Sequence, residues 1–364
     1  MAKNTIPVTK PFFPPQEEYQ QYLSGIWERQ WLTNQGVLSE QLEKQLAEYL
    51  GVSQVFWVAN GTLAIQLAIK ALKIEGEIIT TPFSYVATTA SIVWENCTPV
   101  FADVDPDSFN IDPEEVQKKI TPHTKAILAT HVFGNPCAVE PLQALGQEYG
   151  IPIIYDAAHT FGVTYKGKSV FEFGDISTTS FHATKLFHTV EGGAVFTNIP
   201  ELAKAIPYIR NFGHWGPDRF YGLGVNMKNS ELHAAMGLCN LKYIDEILAK
   251  RKQQCQLYDE KLKDSLLTFQ EISPEVSYNY IYYPVVFPSE SQLLSTKEKL
   301  ESEGILPRRY FHPLLSELPY VNPADTPIAK RIADRVLCLP LYHDLTESQI
   351  HRISDLILDS LAKQ

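Results

Sequence analysis

The feature that most restricts what this chain can fold into is an alternation running from about residue 50 to residue 200. Short apolar runs of strand type, VFWVAN (55–60), EIITT (77–81), PVFADV (99–104), AILATHVF (126–133), PIIYDA (152–157) and ISTTSF (176–181), are separated by stretches of helical pattern. Repeated strand and helix signals of this kind build βαβ units on a largely parallel sheet. Leu63, Leu67, Ala68, Ala71 and Leu72 recur at helical spacing, as do Leu142, Leu145 and Tyr149, and both stripes read as faces packed on that sheet.

The pattern changes after about residue 229, where SELHAAMGLCNLKYIDEILAKRKQQCQLYDEKL reads as one long helical stretch linking two parts. A smaller α/β portion follows, with a strand near 277–287 and a terminal helix from about Thr346. The division expected for 364 residues is a large domain over 1–245, including the N-terminal segment, and a small C-terminal domain over 246–364. No internal repeat or flexible linker interrupts the chain, so the two domains are expected to pack firmly together.

Charge excludes some partners. Thirty-one Lys and Arg residues face 42 acidic ones, a net charge of −11, and no basic run is present to neutralise a row of phosphates, so nucleic acid is not an expected partner. The opening MAKNTIPVTKPFFPP lacks the unbroken apolar core of a signal peptide, and no later stretch approaches the roughly 18 apolar residues of a membrane span. Five cysteines, at 97, 137, 239, 255 and 338, show no CxxC spacing and cannot all pair, so reduced core thiols, no metal site and a cytoplasmic location are expected.

In open α/β sheets ligands bind beyond the carboxyl ends of the strands. Three groups end strands here. Asn60-Gly61-Thr62 stands where a strand turns into a helix; it reads either as an anion cradle of backbone amides or as a simple helix cap. Asp156 ends an apolar run, and is either a turn aspartate or a buried carboxylate able to hold a protonated ring nitrogen. Lys185, in SFHATKLFHTVEGG, is either a solvated surface charge or an amine desolvated by a loop at the sheet's edge, its pKa lowered and its nucleophilicity raised.

Several ordered motifs then converge: WLTNQG (31–36), NGTLAIQLA (60–68), TTPFSYVAT (80–88), PVFADVD (99–105), YDAAHTFG (155–162), SFHATKLFHTVEGG (180–193), GVNMKNSELHAAMG (224–237) and LCLPLYHDLT (337–346). From about Pro7 to the C-terminus the chain resembles the sugar aminotransferases of the DegT/DnrJ/EryC1/StrS family, which have the type I fold of pyridoxal-phosphate-dependent transferases. The resemblance implies an α/β large domain with a mostly parallel sheet flanked by helices, and a smaller C-terminal α/β domain. It implies that Lys185 holds pyridoxal phosphate through its ε-amine and shuttles a proton, passing through a pyridoxamine phosphate form. Asp156 would pair with the pyridine nitrogen, His159 would lie beside the ring, and Tyr85 would stack on it. Gly61, Thr62 and Ser180 would bind the phosphate. Asn226 would reach into the site of a second subunit, making a homodimer with shared sites. Among the less certain positions, His182, His188, Lys228, Arg309, Tyr310 and His312 are candidates for the substrate, Arg210 and His214 for the substrate or for a purely structural role, and Glu191 for ordering the lysine loop.

The resemblance further implies transamination between L-glutamate and a nucleotide-linked keto-sugar. HATKLFHTVEGG and PVTKPFFPP…WLTNQG are most similar to members that place the amine on C4 of dTDP-4-keto-6-deoxyglucose, whose product enters O-antigen or related lipopolysaccharide glycans. C3 amination and a non-catalytic cofactor-binding scaffold are the alternatives. A dehydratase relative replaces the lysine with histidine, and Lys185 argues against that chemistry.

Overall fold

The computed structural model describes residues 5–362; residues 1–4 and 363–364 of the two expected domain ranges lie outside the described residues. The main sheet is built from β1 (Phe56–Val58), β2 (Glu77–Thr80), β3 (Thr98–Phe101), β4 (Thr124–Thr130), β5 (Ile153–Asp156), β6 (Ile176–Ser180) and β7 (Gly193–Phe196). The first six lie within or overlap the apolar runs. Their spatial order is β1-β7-β6-β5-β4-β2-β3. Only β7 runs antiparallel to its neighbours, β1 and β6; the other pairs are parallel, with Ile127 opposite Ile153 and Ile154 opposite Ile176.

Side chains alternate through this sheet with period two, and both faces are covered. In β4, Ala126 and Leu128 join a core with Ile78, Ile154 and Ile176, whereas Ile127 and Ala129 join the opposite one with Ile79, Ile153 and Tyr155. That is why the strands read as near-continuous apolar runs. The helix after β1, α1 (Gly61–Ala71), begins at Asn60, whose side chain accepts from the Leu63 amide at 2.9 Å. The one after β2, α2 (Val86–Trp94), starts at Tyr85. Both point their N-termini at the carboxyl edge of the sheet.

The long stretch after residue 229 is two helices, α3 (Glu231–Leu241) and α4 (Ile244–Leu262). Tyr243 breaks it, leaving helical geometry at φ −106°, ψ 1° while its hydroxyl bonds Glu18 on the helix Gln16–Arg29. The C-terminal portion pairs β8 (Tyr283–Val286) with β9 (Val336–Leu339), antiparallel, over a core holding Tyr258, Val285, Leu293, Leu337, Ile353 and Ile357. Its last helix, Glu347–Leu361, is capped by Thr346, which accepts from the Gln349 amide. Residues Ile6–Pro7 pair in parallel with Ile305–Leu306, and Ile6 is buried in this second core, so the first strand of the chain is built into its last part. Asp103, just past β3, accepts from the amides of Ile328 (2.9 Å) and Ala329 (2.8 Å), tying the sheet to the helix Pro327–Arg335.

Candidate active site

The carboxyl ends of β1, β4, β5 and β6 surround a cavity of about 700 Å³. The lysine loop enters it as an extension of the β6–β7 pair. Phe181 N donates to Gly192 O at 2.7 Å, Ala183 N to Val190 O at 2.8 Å and Thr189 N to Phe181 O at 2.9 Å. Phe187 stacks on Phe161 with ring centroids 4.4 Å apart and meets Phe181 edge-on at 5.1 Å, which anchors the loop from beneath. Gly193 allows the closure, because a Cβ there would stand 2.5 Å from the Asn60 carbonyl carbon. Glu191 contributes through its backbone oxygen, which accepts from Thr189 Oγ1 (2.7 Å) and Asn229 Nδ2 (2.8 Å), and its carboxylate lies 3.6 Å from His182 Nε2.

Lys185 opens partly onto the cavity and is otherwise enclosed by protein. Among the described residues its amine has no hydrogen-bond or ion-pair partner. Burial pulls its pKa from 10.5 to about 8, against the attraction of Asp156. Asp156 is buried in the same cavity. Burial raises its pKa; Thr88, the Ala158 amide and the charge of Lys185 each oppose that rise. Thr88 Oγ1 donates to Asp156 Oδ2 at 2.6 Å and Ala158 N to Oδ1 at 3.2 Å.

His159 lies flat against Phe311, with centroids 5.9 Å apart and planes 6° apart, and its Nδ1 is buried without a partner. Burial, then the charges of Lys185 and His131, hold it well below the usual histidine range, so it is neutral. On the opposite wall a Cβ on Gly61 would stand 2.8 Å from Ser180 Cβ, so only glycine lets α1 sit this close to the end of β6. Thr62 and Ser180 line the space between, and Tyr85, 54% exposed, forms its rim.

All seven of Gly61, Thr62, Tyr85, Asp156, His159, Ser180 and Lys185 thus meet in one cavity, as do His182 and Tyr310. Other expected positions do not, and their partners explain why. His188 is buried with Nε2 on Phe12 O at 2.8 Å. Arg309 is spent on Glu290 (2.8 Å) and the carbonyl of Asp334 (3.0 Å). His312 sits 3.7 Å from Asp334; it, Glu290 and Asp334 bring ligand atoms within 4.8 Å of one another, with Arg309 and Lys330 already paired to the two carboxylates. Arg210 is buried against Glu43 (2.5 Å) and Trp57 O (2.9 Å), and His214 packs on Phe220. Asn226 is exposed and bridges backbone to backbone with Asn211, while Lys228 donates to Asn211 Oδ1 at 2.7 Å; both lie outside this chain's own cavity.

The structure also adds residues that the sequence reading missed. Arg308, Tyr282, Phe311, Asn229 and His233 line the cavity, as do Ser84 and Thr130 beside Asp156. The Arg308 guanidinium lies 4.7 Å over the Tyr310 ring and, among the described residues, has no carboxylate within ion-pair distance. Two adjacent arginines are indistinguishable in sequence; the antiparallel bridge of Arg308 to Cys338 decides which one faces the cavity. Thr88 lies three residues after Tyr85 in a motif already singled out, in the first turn of the helix that Tyr85 precedes.

A neutralisable lysine and a buried carboxylate meet at the C-terminal edge of a parallel sheet, beside a helix N-terminus shaped for an anion, on the fold of the sugar aminotransferases. The chain belongs to the DegT/DnrJ/EryC1/StrS aminotransferase family, whose model matches residues 15–358. It is 38% identical to the dTDP-4-amino-4,6-dideoxy-D-glucose transaminase of Escherichia coli, over 99% of this chain and all of that one. The same enzyme of Shigella dysenteriae is 40% identical over 95% of this chain and 96% of its own. The crystal structure of DesI in the presence of its TDP-sugar product superposes with a TM-score of 0.93 at 33% identity, covering 99% of this chain and 94% of that one.

Proposed function

We propose that this chain aminates C4 of dTDP-4-keto-6-deoxy-D-glucose, taking the amino group from L-glutamate and using pyridoxal phosphate, to give dTDP-4-amino-4,6-dideoxy-D-glucose and 2-oxoglutarate. The observation that carries the reading is the enclosed, unpartnered Lys185 amine sharing one cavity with buried Asp156. The residues fit the cofactor: Asp156 supplies a carboxylate for a ring N–H, the orphaned Nδ1 of His159 offers a further polar contact, and the amides opening α1 with Thr62 and Ser180 suit a phosphate. When bound, pyridoxal phosphate supplies an electron sink for the carbon that loses its proton. Lys185 Nζ then accepts that proton and returns it on the same face, a task suited to an amine whose pKa is near 8. Neutral His159 and the aromatic wall of Tyr282 and Phe311 keep the site poor in water. Arg308, at its mouth, has no carboxylate partner among the described residues and is placed for an anionic group of either substrate.

The names of the two transaminase relatives favour C4 over C3 and a catalyst over a scaffold. A second copy completes the site in this reading. The loop 212–225 exposes Phe212, Trp215, Phe220, Tyr221 and, 82% exposed, Leu223, an apolar surface that suits a dimer partner, and Asn226 and Lys228 follow it outside the lining of their own cavity. A cytoplasmic location is supported by five free, buried cysteines; among the described residues no helix is long and apolar enough to cross a membrane.

The test is incubation of the protein with pyridoxal phosphate, glutamate and dTDP-4-keto-6-deoxyglucose. An equatorial C4 amine is expected; a C3 amine would overturn the substrate assignment, and undiminished turnover by Lys185→Ala would overturn the chemistry. Mixing Lys185→Ala with Asn226→Ala subunits should restore activity to about a quarter of the parent's, since random exchange gives half heterodimers with one intact site each.

A further inference from the structure

Beside Asp156 stand three buried hydroxyls that none of the roles above uses. Thr130 Oγ1 donates to Ser84 Oγ at 3.0 Å, Ser84 Oγ lies 2.8 Å from Thr88 Oγ1, and Thr88 Oγ1 donates to Asp156 Oδ2 at 2.6 Å. Ser84 and Thr88 are 2% and 0% exposed and Thr130 is 2% exposed, so these bonds are almost wholly buried. Each hydroxyl has one proton to give. An ionised Asp156 accepts only, so the Thr88 proton must point to it; the Ser84 proton must then point to Thr88 and the Thr130 proton to Ser84. The chain has one possible direction, and it ends on the carboxylate.

We propose that Thr88 is a positioning residue for Asp156, and that Ser84 and Thr130 complete a one-way hydroxyl chain which fixes that carboxylate in the orientation and ionisation state needed to grip the cofactor's ring nitrogen. Three elements converge to make it: Thr130 ends β4, Ser84 lies in the turn after β2, and Thr88 sits in the first turn of α2. With Oδ2 held by Thr88 and Oδ1 by the Ala158 amide, the carboxylate cannot rotate freely, and each donated bond polarises the next in a low-dielectric setting. The titratable groups around Asp156 are Lys185 and His159 across the cavity, and His131 and Cys137 behind the sheet edge. Burial holds His131 neutral, at about 3, and keeps Cys137 protonated, so among the described residues Lys185 is the one charged neighbour and cannot substitute for the directional bond.

This inference rests on the pyridoxal phosphate reading, and its test separates the two. Retention of pyridoxal phosphate by the holoenzyme is followed by its visible absorbance and fluorescence from pH 4 to pH 9, for the parent, Thr88→Val, Thr88→Ser and Ser84→Ala. Removing a hydrogen bond to a buried carboxylate favours its protonation, so in Thr88→Val the acid limb of cofactor retention should move up by about one to two pH units, with about tenfold to hundredfold weaker binding at neutral pH. Thr88→Ser, which keeps the hydroxyl, should restore the parent profile. Ser84→Ala, one link further back, should move the limb in the same direction by less. An unmoved limb in Thr88→Val, or an unmoved limb in Ser84→Ala should Thr88→Val fail to fold, overturns the proposal. A parent protein that never acquires the visible absorbance instead overturns the reading beneath it.

Discussion

A lysine whose pKa is near 8 is chemically distinct from every ordinary lysine in the chain, and the difference can be measured without any substrate. At pH 7 such an amine is about 9% neutral, against about 0.03% for one titrating at 10.5, so Lys185 presents about 300 times more nucleophile. Lys166 provides the internal contrast. Its ammonium is 2.5 Å from Glu140, and that bond, with Tyr165, raises its pKa above the lysine norm. Labelling of the cofactor-free protein with a small amine-selective reagent across pH 6 to 10, read site by site by peptide mass spectrometry, should show Lys185 reaching its plateau at a lower pH than Lys166, whose labelling still rises toward pH 10. Asp156→Asn removes the attraction that favours the ammonium, so the Lys185 midpoint should fall further in that variant. A Lys185 midpoint at or above 10, or labelling no faster than at Lys166, would refute the reasoning that burial has activated this amine.

Gly61→Ala places a Cβ 2.8 Å from Ser180 Cβ and pushes α1 off the end of β6; pyridoxal phosphate titration should show about tenfold or greater loss of affinity, and unchanged affinity would count against Gly61 as part of an anion cradle. Arg308→Gln and Arg309→Gln should separate cleanly. The first should raise KM for the anionic substrates with stability kept within about 0.5 kcal/mol. The second breaks the contacts with Glu290 and the Asp334 carbonyl and should cost about 1–2 kcal/mol in urea unfolding while KM stays put.

The parallel sheet was legible because burial on both faces leaves an unbroken apolar record in each strand, and Lys185, Asp156 and Gly61 were legible because strand ends are where such folds place ligands. Side chains that act from behind were not. Thr88 and Ser84 occupy positions where a hydroxyl alone says nothing, and only the crossing of three elements reveals what they touch. The same limit explains Arg309: which of two neighbouring arginines faces a cavity depends on the bridge to Cys338, a contact thirty residues along the chain. The single helix expected after residue 229 failed for a tertiary reason, since local sequence favours helix through Tyr243 and the bond to Glu18 goes with a different backbone there.

The pairing of Ile6 with Ile305 has a consequence for how the protein is made. At roughly 5–20 residues per second, Ile6 must wait about 15–60 s for its partner to be made. Phe12, six residues beyond Ile6, takes the His188 imidazole on its carbonyl, so the segment anchored by that pairing also fastens the loop three residues from Lys185. A pairing between residues 299 positions apart thus bears on the loop that carries Lys185.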